Sequence, residues 1–244
     1  RLPRTVLPSR YEVSLTPDLD AASFMGTVLI SAEATEAVSE IVVNAIELDI
    51  ASVTVNGIAA SFTLHEESER LIISADVAQG PCDIAIAFTG ILNDKLRGFY
   101  RSTFTDDAGV VRTIATTQMQ ATDCRRAFPC FDEPDFKAVF AIDLTIKSEF
   151  LAVSNSSETK REVLANGLTR IWFADTMIMS TYLVAFVVGP LEATETEMVG
   201  DIAVRIIHVP GKSHLTEFGM RAGTFALDWF QTYYGVPYPS DKVD

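Results

Sequence analysis

The chain has 244 residues, 48% of them hydrophobic and 21% charged, with a formal net charge of −14. That length allows one large all-β domain, or one domain with part of another, and the composition is that of an ordinary globular protein. The acidic balance argues against nucleic acid and anionic membrane surfaces as partners, and no apolar run reaches the ~18 residues of a membrane span.

From Arg1 to about Pro190 the patterning has a period of two. Tyr11, Val13 and Leu15 alternate with Glu12, Ser14 and Thr16, the mark of a half-buried strand. Asn56-Gly57, between Val53–Val55 and Ile58–Leu64, predicts a hairpin. Ile84, Ile86 and Phe88 form a further alternating set, as do Ala138, Phe140, Ile142, Leu144 and Ile146. Asn166-Gly167 predicts a second hairpin leading into Ile171-Trp172-Phe173. Leu183 to Val188 is continuously apolar, as a strand covered on both faces is. Many short strands with turn signals between them predict a β-sandwich-like domain.

The patterning changes after Gly189-Pro190. A polar connector with Glu192, Glu195 and Glu197 leads to a strand begun by Ile202, Val204 and Ile206. Phe218, Ala222, Phe225, Trp229 and Tyr233 then recur at helical spacing until Gly235 stops the helix. Phe225, Trp229 and Phe230 are expected to be core. We therefore divide the chain into residues 1–192, a β domain, and 193–244, one strand and one helix that are too little to bury their own surfaces.

The densest stretch of polar, aromatic, cysteine and proline residues is Thr116 to Pro134. It opens extended, which puts Gln118 and Gln120 on one face and Met119 on the other. Two primary amides on one face offer carbonyl oxygens to an ammonium group and NH2 groups to a carbonyl. The competing reading is a buried connector, in which Asp123 and Asp132 pair with Arg125 and Arg126 and the glutamines satisfy backbone. Phe128-Pro129-Cys130-Phe131 reads as an apolar plug, in which Cys130 is an inert buried thiol.

This stretch resembles the segment Q-x-[EQ]-A-x-x-x-R-x-x-F-P-C-x-D-E-P of the zinc aminopeptidases related to aminopeptidase N. Leu92 to Ser102, Met179 to Phe186, and Gly235 to Asp244 are similar to the same family in the same order, and Arg1-Leu2-Pro3 to Tyr11-Glu12-Val13 also fits. The resemblance implies a saddle-shaped N-terminal β domain followed by the first strand and helix of a thermolysin-like catalytic domain. It implies a metallo-aminopeptidase that removes N-terminal residues from peptides, with zinc ligands beyond Asp244. Carried over by position, Gln120 helps bind the substrate's free α-ammonium and Gln118 lines the first side-chain pocket. Many family members carry Glu where this chain has Gln120, so one negative charge is missing from the amine-binding cluster. The partners implied are peptide substrates with a free N-terminus and the chain's own catalytic domain. A non-catalytic β-sandwich interaction module and an inactive descendant are the alternatives.

This chain itself carries no zinc signature. H-E-x-x-H needs two histidines four apart on a helix, whereas His65 stands alone in an acidic run and His208 and His214 flank a Pro-Gly turn. No catalytic and no metal-ligating residue is assigned within it, and alone it is expected to be inactive. His65 with Glu66, Glu67 and Glu69 reads as a solvated loop. Three scattered cysteines, Cys82, Cys124 and Cys130, make neither a disulfide framework nor a C-x-x-C site and suit a reducing, cytoplasmic setting. The start at Arg1 leaves an upstream signal open. Asn155-Ser156-Ser157 matches a glycosylation sequon but reads as an ordinary turn.

Overall fold

Alternation along the first strand sets the frame of the molecule. In the computed structural model, which describes residues 1–244, β1 (Val6–Asp18) buries Val6 and Pro8 and then Tyr11, Val13 and Leu15. A bulge between Pro8 and Arg10 inserts the extra residue that moves burial from even to odd positions. The strands that follow are β2 (Ser23–Ala34), β3 (Val38–Asn44), β4 (Leu48–Val55), β5 (Ile58–Ala59), β6 (Ser61–His65), β7 (Arg70–Val77), β8 (Gly80–Ile91), β9 (Gly98–Thr105) and β10 (Val111–Gln118). Beyond them come β11 (Val139–Lys147), β12 (Leu151–Ser154), β13 (Glu158–Val163), β14 (Leu168–Phe173) and β15 (Phe186–Gly189).

Three sheets result. The largest runs β13-β14-β11-β1-β2-β8-β4-β5, antiparallel except where β1 meets β11 in parallel register. The second is β3-β7-β6 and the third β12-β15-β10-β9. Both predicted hairpins form. Asn56 and Gly57 have φ of 52° and 78°, the left-handed pair that a tight two-residue turn demands, and Asn166 and Gly167 have φ of 63° and 74° in a three-residue turn, Ala165–Gly167, between Leu164 and Leu168. A single cluster of 47 buried apolar residues joins the sheets. Phe24 on β2 meets Phe99 on β9 at 5.2 Å between ring centroids, and Phe99 meets Phe186 on β15 at 4.8 Å, both edge-on, which suits the aromatic quadrupole.

Two expectations need correction. Of the apolar run 183–188 only residues 186–188 are strand, the start of β15 (Phe186–Gly189), and Leu183 is exposed. Thr181–Leu183 tighten instead into a 3-10 turn, because the Leu183 and Val184 amides bond back to the carbonyls of Ser180 and Thr181.

The second correction concerns the C-terminal segment. There β16 (Glu192–Ala193), β17 (Glu197–Val199), β18 (Ile202–Val204), β19 (Ile207–His208) and β20 (Lys242–Val243) form two small sheets, β16-β19 and β17-β18-β20, beside helix α1 (Thr216–Tyr234). Gly235, at φ 65°, ends the helix as the spacing predicts. Phe225, Trp229 and Phe230 are not core: they are 70%, 45% and 47% exposed. The β17-β18-β20 sheet packs on α1, whose one buried residue is Met220, and the aromatic side finds no cover within these residues.

Candidate functional site

Three segments distant in sequence meet around Thr116–Pro134. The first is the turn Asn93–Gly98, which the Asn93 side chain closes by accepting from the Lys95 amide at 2.8 Å and donating to the Arg97 carbonyl at 2.9 Å. It ends at Gly98, cross-strand partner of Gln118. Gly98 has φ +61°, and a Cβ there would lie 2.6 Å from Arg126 Cβ and 2.9 Å from the Asp123 carbonyl. Both conformation and space therefore require glycine, and the chain after Gln118 folds directly over it.

Gln118 is the last residue of β10, and Gln120 sits in the turn beyond; both are exposed while Met119 is buried. Both amides are thus exposed, although the strand ends at Gln118 and it is the turn, not strand alternation, that carries Gln120. The Gln118 Nε2 group donates to the Gln120 backbone carbonyl at 3.2 Å, so half of that amide closes the turn. The Asp123 amide donates to the Met119 carbonyl at 2.9 Å and completes the turn.

A charged network holds this turn from below. Arg126 bonds Asp123 Oδ1 at 2.8 Å and Glu47 Oε2 at 2.7 Å. Arg125, a tenth exposed, donates through Nε to Asp132 Oδ2 at 2.9 Å and through Nη1 to Glu69 Oε2 at 2.8 Å. Thr181, from the second segment, donates to the other Asp132 oxygen at 2.6 Å. The third segment is the end of β3: Asn44 accepts from the Asp132 amide at 3.3 Å, donates to the Glu69 carbonyl at 3.2 Å, and bridges Cys130 through backbone. Burial opposes the charge on both guanidiniums, yet the bonds to Asp132 and to Asp123 and Glu47 outweigh it and raise both above the usual arginine value.

The pairing of Asp123 and Asp132 with the arginines is thus present, as the connector reading has it, alongside the outward amides. Glu69 departs from the solvated-loop reading. At φ 55° it turns away from Glu66 and Glu67 and reaches both arginines. Nothing in the acidic run signals this. Thr181 lies inside the Met179–Phe186 motif but had no role assigned to it. Phe128, Cys130 and Phe131 are fully buried, as a plug should be, and the Tyr11 hydroxyl accepts from the Phe131 amide at 3.1 Å.

No histidine of the chain joins a site. His65 ends β6, His208 lies on β19 with Nδ1 at 2.9 Å from the Val209 carbonyl, and His214 is in the turn before α1. Cys124, Cys130 and Asp132 do come together, their ligand atoms within 4.8 Å of one another. Both Asp132 oxygens are already committed, to Arg125 and Thr181. These residues do not make a catalytic zinc site. Asn155 is tied on both sides of its amide, donating to the Leu183 carbonyl and accepting from the Ala185 amide, each at 2.8 Å, which supports the turn reading of its sequon.

The chain is thus a mainly β domain that presents an amide-bearing turn over a buried Arg–Asp network. Residues 7–183 match the Peptidase M1 N-terminal domain, and the chain belongs to that family. It is 39% identical over 256 residues to Aminopeptidase M1-A of Oryza sativa subsp. japonica and 37% identical over 260 residues to Aminopeptidase M1 of Arabidopsis thaliana. It is also 35% identical over 251 residues to the Alanine/arginine aminopeptidase of Saccharomyces cerevisiae. Each match takes in all of this chain and 29% of the relative, so the chain spans under a third of these proteins.

Proposed function

We propose that this chain is the substrate-facing N-terminal part of a zinc aminopeptidase, with Gln120 accepting a hydrogen bond from the α-ammonium of the substrate and Gln118 lining the pocket for its first side chain. The observation that carries this is the turn itself: two amides held outward on a scaffold braced by Gly98 and the Arg125–Arg126 network. An exopeptidase must recognise a terminal amine, and an amide oxygen is a suitable acceptor. In the parent, zinc supplies the polarised carbonyl and activated water of a metallopeptidase. His65, His208 and His214 are dispersed over separate elements and hold none of it, so the chain alone is expected to cleave nothing.

Residues 193–244 are read as the beginning of the catalytic domain, and the aromatic side of α1 as the surface that the rest of that domain covers. Phe218, Phe225 and Trp229 together expose more apolar surface than a solvated helix normally keeps. The cytoplasm is the compartment proposed for the parent, because three unpaired cysteines suit reducing surroundings.

The test uses the full-length protein that contains this chain. Gln120→Leu should lower kcat/KM for free-amine aminoacyl substrates about fivefold or more, the value of one hydrogen bond. Activity on those substrates that is unchanged by Gln120→Leu would overturn the assignment of Gln120. Absence of any aminopeptidase activity in the unaltered full-length protein would favour the interaction-module reading.

A further inference from the structure

Beneath the amide turn lies a pair of thiols that the proposed function does not use. Cys124 opens the 3-10 turn Cys124–Arg126, and Cys130 follows Pro129 on the strand-like bridge to Asn44. Both are 0% exposed, and their sulfurs lie within 4.8 Å of one another. The carboxylate beside them offers no third metal ligand without giving up its bonds to Arg125 and Thr181. Metal capture would therefore break a buried ion pair, whereas a bond between the sulfurs uses neither Asp132 oxygen.

We propose that Cys124 and Cys130 are a latent dithiol that hydrogen peroxide converts to a reversible disulfide, closing a ring around Arg125 and Arg126. The chemistry balances with one peroxide per disulfide. The thiolate of one cysteine attacks one peroxide oxygen, the O–O bond breaks, and hydroxide leaves to take up a proton as water, giving a sulfenic acid. The sulfur of the other cysteine then attacks the oxidised sulfur, the S–O bond breaks, and a second water leaves with the thiol proton. Two thiols are oxidised and both peroxide oxygens are reduced.

Burial raises both thiols above the usual cysteine value. The two sulfurs lie within reach of one another, so whichever is oxidised first is resolved by its neighbour. Full burial excludes bulky oxidants, so the reaction proceeds through brief opening of this segment to a small neutral peroxide. Once closed, the ring holds together the arginines that tie the amide turn to Glu47 and Glu69.

The experiment uses the folded chain carrying Cys82→Ser, which leaves only this pair. Hydrogen peroxide is added until Met25, 60% exposed, is converted to its sulfoxide, an internal measure of dose. The protein is then quenched, denatured, alkylated with iodoacetamide and mapped by mass spectrometry. The expected result is loss of both alkylation sites, a Cys124–Cys130 cross-linked peptide lighter by two hydrogens, and return of both thiols with dithiothreitol. Cys130→Ser in the same background should instead leave a sulfenic acid at Cys124 that dimedone traps. Two alkylated cysteines after Met25 is oxidised would overturn the proposal, as would sulfinic acid without cross-link or disulfides between chains.

Discussion

Arg125 and Asp132 meet at 2.9 Å through Nε and Oδ2, the carboxylate wholly buried and the guanidinium nearly so. Both carboxylate oxygens and all three guanidinium nitrogens are hydrogen-bonded, to one another, to Thr181, to Glu69 or to backbone, so the desolvation of both charges is offset by a full set of bonds. Arg125→Ala should leave Asp132 buried and uncompensated, and lower stability by about 3–5 kcal/mol. Replacing both partners, Arg125→Met with Asp132→Leu, should recover much of that loss. Urea unfolding of the three variants measures this, and a double variant no better than Arg125→Ala would count against an uncompensated charge as the cause.

Gly98 makes a separable prediction. Gly98→Ala suffers both a left-handed backbone and a clash with Arg126 and Asp123, whereas Gly57→Ala, at φ +78°, meets nothing within 4 Å. Gly57→Ala should cost roughly 1–2 kcal/mol for conformation alone. Gly98→Ala should cost clearly more, and should also move the environment of the amide turn. Equal thermal shifts for the two variants would show that the turn yields to a methyl group.

The buried thiols and Tyr11 predict an alkaline limit to stability. Burial is the main cause that raises Cys124, Cys130 and Tyr11, so the fold favours their protonated forms. The stability this contributes is complete below the unfolded-state values, ~8.5 for cysteine and ~10 for tyrosine, and falls as pH rises toward the folded ones. Each group contributes a slope of up to ~1.4 kcal/mol per pH unit in that window. Cys124→Ala with Cys130→Ala should flatten the fall between pH 9 and 10 in denaturant titrations, and an unchanged slope would refute the attribution.

Gln120→Glu offers the converse of the leucine substitution in the full-length protein. A charged acceptor makes a hydrogen bond roughly twice as strong as a neutral one, and part of that gain goes to desolvating the added charge. The net expectation is about 1 kcal/mol tighter binding of free-amine substrates, with N-acetylated substrates unaffected. Steady-state kinetics on both classes decide it, and an equal response of the two classes would separate Gln120 from the amine.

What the sequence reveals of this molecule is its local grammar. Tyr11, Val13 and Leu15 announce their strand because period two is a property of neighbours, and Asn56-Gly57 and Asn166-Gly167 announce turns because their backbones tolerate positive φ. Alternation reaches Gln118, the end of its strand, whereas Gln120 lies in the turn beyond it. The brace beneath them is not legible, since Asn44, Glu69 and Thr181 arrive from 49 to 88 residues away along the chain. Glu69 stands among glutamates that face water, and only its left-handed backbone distinguishes it. The exposed Phe225 shows the opposite limit: helical spacing marks an apolar side without saying which surface covers it.

The parallel joint between β1 and β11 has a consequence for how the protein comes into being. Arg10 pairs with Val139, and the Leu2 amide and Arg4 reach Glu133, so one edge of β1 is finished by residues synthesised more than a hundred positions later. During synthesis β2 and β8 can zip onto the other edge early, through antiparallel partners closer in sequence. The edge that awaits β11 remains an open row of amides and carbonyls for most of the domain's translation. Closing that edge is a long-range event and therefore slow, which places the most association-prone moment of this protein on the ribosome, before Lys147 has emerged.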